Sequence, residues 1–349
     1  MRKRFVLLIG ILLTLTVALP VFAGGDKEKA AETDETSAAA AKAGPYEIAF
    51  LLKSQAQDFW NHIRIGGMNY AKENPDKVKA TLYAAKNDAA VEEALGILEN
   101  IIVTQPDAIV MASVNPETMA PLIDRASAQG IVVVTINDSV KQWTDAYDAE
   151  FVSDNYGGGE LAGEFLVDLM KENGKPLEGK VAIHSALAGL PDLVKRCQGF
   201  QDKVLGLAPK MEFLDWRYSD VDPMKQVSLA QDVISAEGDE LACIYIDAGP
   251  TLPAAIRVFY EQNIYDDIYL IGWDSSPEAI DGLENGYLKG LVLQDPFGMG
   301  YMGMEAAVKI LDGKTVQKDN TVPTVIFTKK DIGTREAAEF LDPTLKEIK

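Results

Sequence analysis

From residue 46 onward, short apolar runs rich in β-branched residues alternate with longer segments whose apolar positions repeat at helical spacing. Runs at Glu47–Leu52, Lys79–Ala84, Ala108–Ala112, Ile131–Ile136, Val181–His184, Glu212–Trp216, Ala242–Ile246, Tyr269–Gly272 and Leu288–Leu293 predict strands, with another around Thr324–Phe327. Helices are expected between them. Ala89–Val103 is one, and Pro116–Gln129 is another, with Asn115 as N-cap, Pro116 in the first turn and Gly130 as the stop. Continuous apolar strands separated by helices predict parallel sheets covered on both faces. One series ends near Asn137 and a second starts near Phe151, with an acidic, aromatic connection at 142–150 between them. The expected fold is therefore α/β, with two doubly wound parallel-sheet lobes. Open parallel sheets bind ligands beyond the carboxyl ends of their strands, so the residues just after strands become the candidates.

The first 23 residues have a different pattern. Arg2, Lys3 and Arg4 precede the apolar stretch Phe5–Ala18, and Val21-Phe22-Ala23 forms a small-x-small site, which together predict a cleavable export signal. No cysteine follows to carry a lipid anchor. Residues 24–45 lack large apolar side chains and are expected to form a flexible tether. No later hydrophobic stretch has spanning length. An extracytoplasmic or periplasmic location follows from this reading.

Charge and rare residues narrow the chemistry. With 33 Lys and Arg against 53 Asp and Glu, the net charge is -20, which repels nucleic acid and anionic membrane surfaces. Only two histidines, His62 and His184, and two cysteines, Cys197 and Cys243, are present. A Cys/His zinc cluster and a disulfide framework are thereby excluded, although an oxidised cysteine pair stays open. No calcium-loop pattern occurs, and no metal or cofactor is expected. Gly298-Met-Gly300-Tyr-Met-Gly303 and Gly157-Gly-Gly159 resemble dinucleotide-binding glycine patterns but lack the ribose-holding acid, so close helix packing is the simpler role. His184 beside Ser185 lacks a nucleophile elbow. Asp247 and Asp274 leave an exported sugar-acting enzyme as the weaker alternative, and a non-enzyme is expected.

The strand ends share a chemical character. Lys53, Gln57, Phe59 and Trp60 follow the first strand, Asn137 and Asp138 the fourth, and Asp247, Asp274 and Gln294 later ones. Sugars present C–H faces that stack on aromatic rings and hydroxyls that both donate and accept, which suits this mixture. Trp216, beside a predicted strand, is a further aromatic candidate.

At these residues the chain resembles the substrate-binding proteins of bacterial sugar ABC importers, the ribose-binding type of the type I periplasmic binding protein fold. The resemblance rests on Ile48-Ala-Phe-Leu-Leu with Phe59-Trp60, Pro106-Asp-Ala-Ile-Val, Gly130-Ile-Val-Val-Val-Thr and Ser153-Asp154-Asn155. It continues through Gly199-Phe200, Ile271-Gly-Trp-Asp274 and Leu293-Gln294-Asp-Pro-Phe-Gly298. It implies ligand contacts from Phe59, Trp60, Gln57, Asp274, Gln294 and Asp247. Two departures stand out: Asn137-Asp138 replaces the usual Asp-Arg, and Val194 stands where a pocket Arg is expected, with Arg196 displaced beyond it. Lys53, Asp192 and Asp247-Ala248 resemble instead the autoinducer-2-binding relatives. The resemblance also implies three inter-lobe crossings, near Ser153, Asp295 and Val325. These divide the body into lobe one (46–153 plus 295–325) and lobe two (154–294 plus 326–349). The implied function is capture of a monosaccharide or small polyol by hinge closure and delivery, as a monomer, to an ABC permease. Autoinducer-2 binding, or signalling to a chemoreceptor or sensor, is the alternative.

Overall fold

The computed structural model describes residues 44–54, 58–87 and 90–349. The expected export signal, most of the tether and Gln57 lie outside them. The chain opens with β1 (Tyr46–Leu52), α1 (Asp58–Glu73), β2 (Val78–Ala84), α2 (Val91–Thr104), β3 (Ala108–Met111), α3 (Pro116–Ala128), β4 (Val132–Ile136) and β5 (Ala149–Ser153). It continues with α4 (Asn155–Glu172), β6 (Glu178–Ser185), α5 (Pro191–Leu207), β7 (Lys210–Phe213), β8 (Arg217–Tyr218), α6 (Pro223–Glu237), β9 (Leu241–Ile246), α7 (Leu252–Gln262), β10 (Tyr269–Trp273), α8 (Pro277–Asn285) and β11 (Gly290–Leu293). It closes with α9 (Pro296–Leu311), β12 (Asp319–Val322), β13 (Val325–Phe327) and α10 (Arg335–Leu341).

These strands form two sheets. The first, in the order β12-β5-β4-β3-β1-β2, is parallel throughout. The second runs β13-β11-β10-β9-β6-β7, with β8 pairing the far end of β6, and only its edge strand β13 is antiparallel. Both faces of each sheet are covered, which is why the strands read as unbroken apolar runs. Along β1, Ile48, Phe50 and Leu52 join the core shared with α1 and α9, while Ala49 and Leu51 enter the core shared with α2 and α3. β9 alternates in the same way: Ile244 and Ile246 face the α6/α7 side, and Cys243 and Tyr245 face α4 and α5.

Two helix pairs depend on glycine. A Cβ on Gly159 of α4 would lie 2.2 Å from the Arg196 carbonyl oxygen of α5, and one on Gly300 of α9 would lie 2.1 Å from the Ile63 carbonyl oxygen of α1. Within the glycine patterns that suggested nucleotide binding, Gly159 and Gly300 therefore serve backbone-to-backbone helix packing. Both α4 and α9 begin directly after a strand, and each starts with an aspartate N-cap. Asp154 accepts from Gly157 N at 2.9 Å, and Asp295 accepts from Gly298 N at 2.7 Å.

Several expectations are corrected. β5 belongs to the first sheet, so residues near Phe151 finish one series and do not begin the second. The expected strand Glu212–Trp216 is divided into β7 and β8, which pair opposite halves of β6, and Trp216 falls in the gap. β12 was missed because Asp319-Asn-Thr-Val has no apolar periodicity, and it is held by backbone pairing to β5. The last residues also depart from expectation. α10 packs on the second sheet through buried Ala337, but the turn at Pro343–Lys346 lies on α1, where Asn69 Nδ2 donates to the Lys346 carbonyl at 2.7 Å. Residues 326–349 therefore do not all stay with the second sheet.

Candidate functional site

The carboxyl ends of the two sheets border a cavity of about 830 Å³. Phe59, Asn137, Asp192, Arg196, Asp274 and Gln294 line it, so half of the twelve residues proposed from sequence converge there. Asn137 ends β4 and Asp274 ends β10 with positive φ, 68° and 63°, a left-handed conformation that Asn and Asp tolerate better than most residues.

Asp274 is the centre of a hydrogen-bonded relay. Its Oδ1 accepts from Gln294 Nε2 at 2.8 Å and its Oδ2 from Gly249 N at 3.2 Å, while Arg196 Nη1 lies 3.6 Å away. Gln294 Oε1 accepts from Ser153 Oγ at 2.7 Å. Ser153 and Gln294 stand at two separate connections between the sheets, so the relay joins the cavity to both.

Arg196 is held from beneath. Its Nε donates to Asn155 Oδ1 at 2.8 Å and its Nη1 to the Asp247 carbonyl at 2.9 Å, and its guanidinium lies 4.0 Å from the Trp273 ring centroid. Trp273 Nε1 donates to Tyr245 Oη, and Tyr245 stacks on Phe200 with centroids 4.0 Å apart. Burying an arginine at 7% exposure requires such neutral acceptors and a π face, because a lone buried charge is expensive. Although it sits two residues past the expected position, Arg196 is the cation that α5 brings to the cavity.

The other sequence candidates go elsewhere. Asp247 is fully buried, because the alternation along β9 turns it toward α5. There its carboxylate accepts from Ala186 N at 2.9 Å and from Cys197 Sγ at 3.3 Å. Burial raises its pKa against those hydrogen bonds, and the same burial raises the Cys197 thiol, with the Asp247 charge adding to the effect. Asp247 and Asp274 therefore do not form a carboxylate pair facing one cavity. Cys197 and Cys243 are free and buried. Trp60 packs into the first core, edge-on to Phe59 at 5.1 Å, and Trp216 donates to Gln201 Oε1 at 3.1 Å beside the second core. Lys53 pairs with Asp138 at 2.7 Å and lies 5.4 Å from the Trp60 ring. Burial raises the Asp138 pKa, Lys53 opposes that shift, and Asp192 at the start of α5 reinforces it. Among the described residues no group of three His, Cys, Asp or Glu side chains could hold a metal.

Sequence reasoning missed Ser153, Asn155, His62 and the serines at the start of α8. Asn155 had a signal, since it follows the N-cap aspartate of a crossing helix. His62 stands one helical turn after Phe59.

His184 does not line the cavity. It is buried at 1% exposure with its Nδ1 2.9 Å from Gln226 Nε2, and burial, aided by the Arg217 charge, lowers its pKa from 6.5 to about 4. Between those two values the unfolded chain takes up a proton that the folded chain refuses. Stability is thus intact above pH 6.5 and is lost as the pH falls toward 4, by up to about 2–3 kcal/mol. Urea titrations at pH 7 and pH 4.5 check this, because in His184→Gln that increment of acid sensitivity should disappear.

Two facing parallel sheets, joined by repeated connections and holding an Asp–Gln–Arg cluster beside an aromatic ring, define a ligand-binding protein of the type I periplasmic architecture. Residues 48–315 match the periplasmic binding protein domain, and the chain belongs to that family. It is 25% identical to the ribose import binding protein of Bacillus subtilis, over 72% of this chain and 78% of that protein. It is also 25% identical to the D-ribose/D-allose-binding protein of Pseudomonas aeruginosa, over 80% and 87%. Among solved structures, a carbohydrate transporter solute-binding protein from Agrobacterium radiobacter in complex with D-arabinose superposes with a TM-score of 0.70 at 23% identity. That match covers 85% of this chain and 99% of the other.

Proposed function

We propose that the protein captures a monosaccharide or similar small polyol between two lobes and delivers it, as an exported monomer, to the permease of an ABC importer. The observation that carries this reading is the convergence of Asp274, Gln294, Arg196 and Phe59 on one cavity bordered by both sheets. Carboxylate and amide oxygens accept from hydroxyls, guanidinium and amide N–H groups donate to them, and the ring covers a C–H face. The binding repertoire of the relatives, ribose, allose and arabinose, supports the ligand class.

In this reading lobe one comprises 46–153 with 296–322, and lobe two comprises 155–293 with 325–341. The crossings pass through Asp154, Gln294–Asp295 and the pair before Val325. Closure brings lobe-one groups such as Phe59 and Asn137 onto a ligand already engaged by Asp274, so the closed form gains only when both sets of contacts exist. Residues 1–23 serve as the cleaved signal and 24–45 as the tether.

The test is thermal unfolding in the presence of D-ribose, D-allose, D-arabinose, D-fucose and inositols. A ligand at a hundred times its Kd adds about 2.7 kcal/mol, which raises the Tm by several degrees. If no sugar or polyol in the panel moves the Tm, the reading fails. The neighbouring Lys53, Asp138 and Asp192 favour including autoinducer-2 as a separate arm. Prolonged incubation should return every bound sugar unchanged.

A further inference from the structure

The end of the chain forms part of the cavity. α10 packs on the second core, with Phe340 edge-on to Phe327 at 5.4 Å, and Phe340 and Leu341 line the cavity. The chain then leaves the second sheet and is seated on α1. Asn69, 3% exposed, uses both ends of its amide there: Nδ2 donates to the Lys346 carbonyl at 2.7 Å and Oδ1 accepts from Ile348 N at 3.0 Å. Arg64 pairs with Glu347 at 3.0 Å, and Lys346 Nζ stands 4.3 Å from the Phe297 ring centroid. A terminal segment held this specifically on one body, with its preceding helix on the other, is an ordered strap beside the cleft.

The helix before the strap, α10, adds to the chemistry of the cavity. One part is polar, built on Asp274, Gln294, Arg196 and Asn137. The lining also includes the apolar side chains of Pro253, Pro277 and Ile280 and of Phe340 and Leu341 at the end of α10, with Ser275 and Ser276 beside Pro277. A hydroxyl set against Ile280, Phe340 and Leu341 would gain no partner from those side chains, whereas a hydrocarbon group there would release water. The volume of about 830 Å³ falls within the range that encloses drug-sized ligands, ample for a sugar ring with a substituent.

Resting on the sugar-binding reading above, we propose that the physiological ligand is a sugar or polyol bearing an apolar substituent, an alkyl or aryl glycoside in its simplest form. Its ring occupies the Asp274 side and its substituent lies against Phe340 and Leu341. Asn69 is a positioning residue that keeps the strap in place.

Isothermal titration of D-ribose, D-allose, D-arabinose and D-fucose, each beside its methyl and phenyl glycosides in both anomers, tests this on the full chain. At least one glycoside should bind fivefold or more tightly than its parent sugar. Leu341→Ser and Asn69→Ala should each bring that ratio toward one while the parent sugar's Kd changes less than twofold. A purely structural role for the strap would lower the Tm and leave the ratio unchanged, which would overturn the proposal. If a variant fails to fold, the wild-type ratio decides. Parent sugars that bind while every glycoside binds no more tightly overturn only this proposal; if neither parent sugars nor glycosides bind, the sugar reading falls and this proposal falls with it.

Discussion

Gly159→Ala is expected to destabilise the protein by about 4 kcal/mol or more, a large share of the roughly 5–15 kcal/mol that keeps a domain of ordinary stability folded. The new methyl would stand 2.2 Å from the Arg196 carbonyl oxygen and 2.8 Å from the Phe200 amide nitrogen. Both are backbone atoms inside a helix, so no side chain can rotate aside, and α4 and α5 must separate. The damage would reach the cavity, because α5 carries Arg196 and α4 carries Asn155, its hydrogen-bond partner. Gly300→Ala, facing the Ile63 carbonyl oxygen at 2.1 Å, should act similarly through α1 and α9. Gly206→Ala is the control. It lies in the exposed last turn of α5 with nothing within 4 Å of the added atom, so lower backbone entropy in the unfolded chain should stabilise it by about 0.5–1 kcal/mol. Urea denaturation of the three variants checks the contrast, and a Gly159→Ala protein as stable as the wild type would refute the close-packing role.

The alternation of strands and helices was legible because the central strands are buried on both faces and carry their own apolar runs, as β3 and β4 do. β12 was not, since an edge strand held by backbone hydrogen bonds has no need of apolar side chains. Site residues divide along similar lines. Position after a strand is visible in sequence, but the direction a side chain takes is not. Asp247 and Asp274 both follow strands; the first continues the strand's alternation and turns under the sheet, while the second adopts a left-handed backbone and reaches the cavity. Trp216 was read as a candidate from its chemistry and Trp60 from chemistry and resemblance together, and both pack against the cores. Phe340 and Leu341 carried no such signal, because they follow no strand and reach the cleft only through the packing of α10 on the second core.

Asp274→Asn is the substitution expected to affect binding most, weakening sugar affinity by roughly a hundredfold to a thousandfold, or about 3–4 kcal/mol. Asparagine fits the volume and tolerates the φ of 63°, so the fold should persist. What changes is the supply of acceptors. The carboxylate now receives N–H groups on both oxygens, from Gln294 and from Gly249, with the Arg196 guanidinium 3.6 Å away. An amide has one oxygen, so its NH₂ must face either Gln294 Nε2 or Gly249 N, a donor set against a donor. If Gln294 yields, its bond to Ser153 is disturbed as well, and the disturbance passes to a second inter-lobe connection. Arg196 loses its nearest negative charge and is left with neutral acceptors and the Trp273 ring. The ligand thus loses a charge-assisted acceptor and meets a misaligned amide and a less compensated cation. Titration calorimetry with the sugar that gives the largest thermal shift measures the loss, and an unchanged circular dichroism spectrum separates it from unfolding. If Asp274→Asn binds that sugar within threefold of the wild type, the Asp274 relay is not the recognition centre.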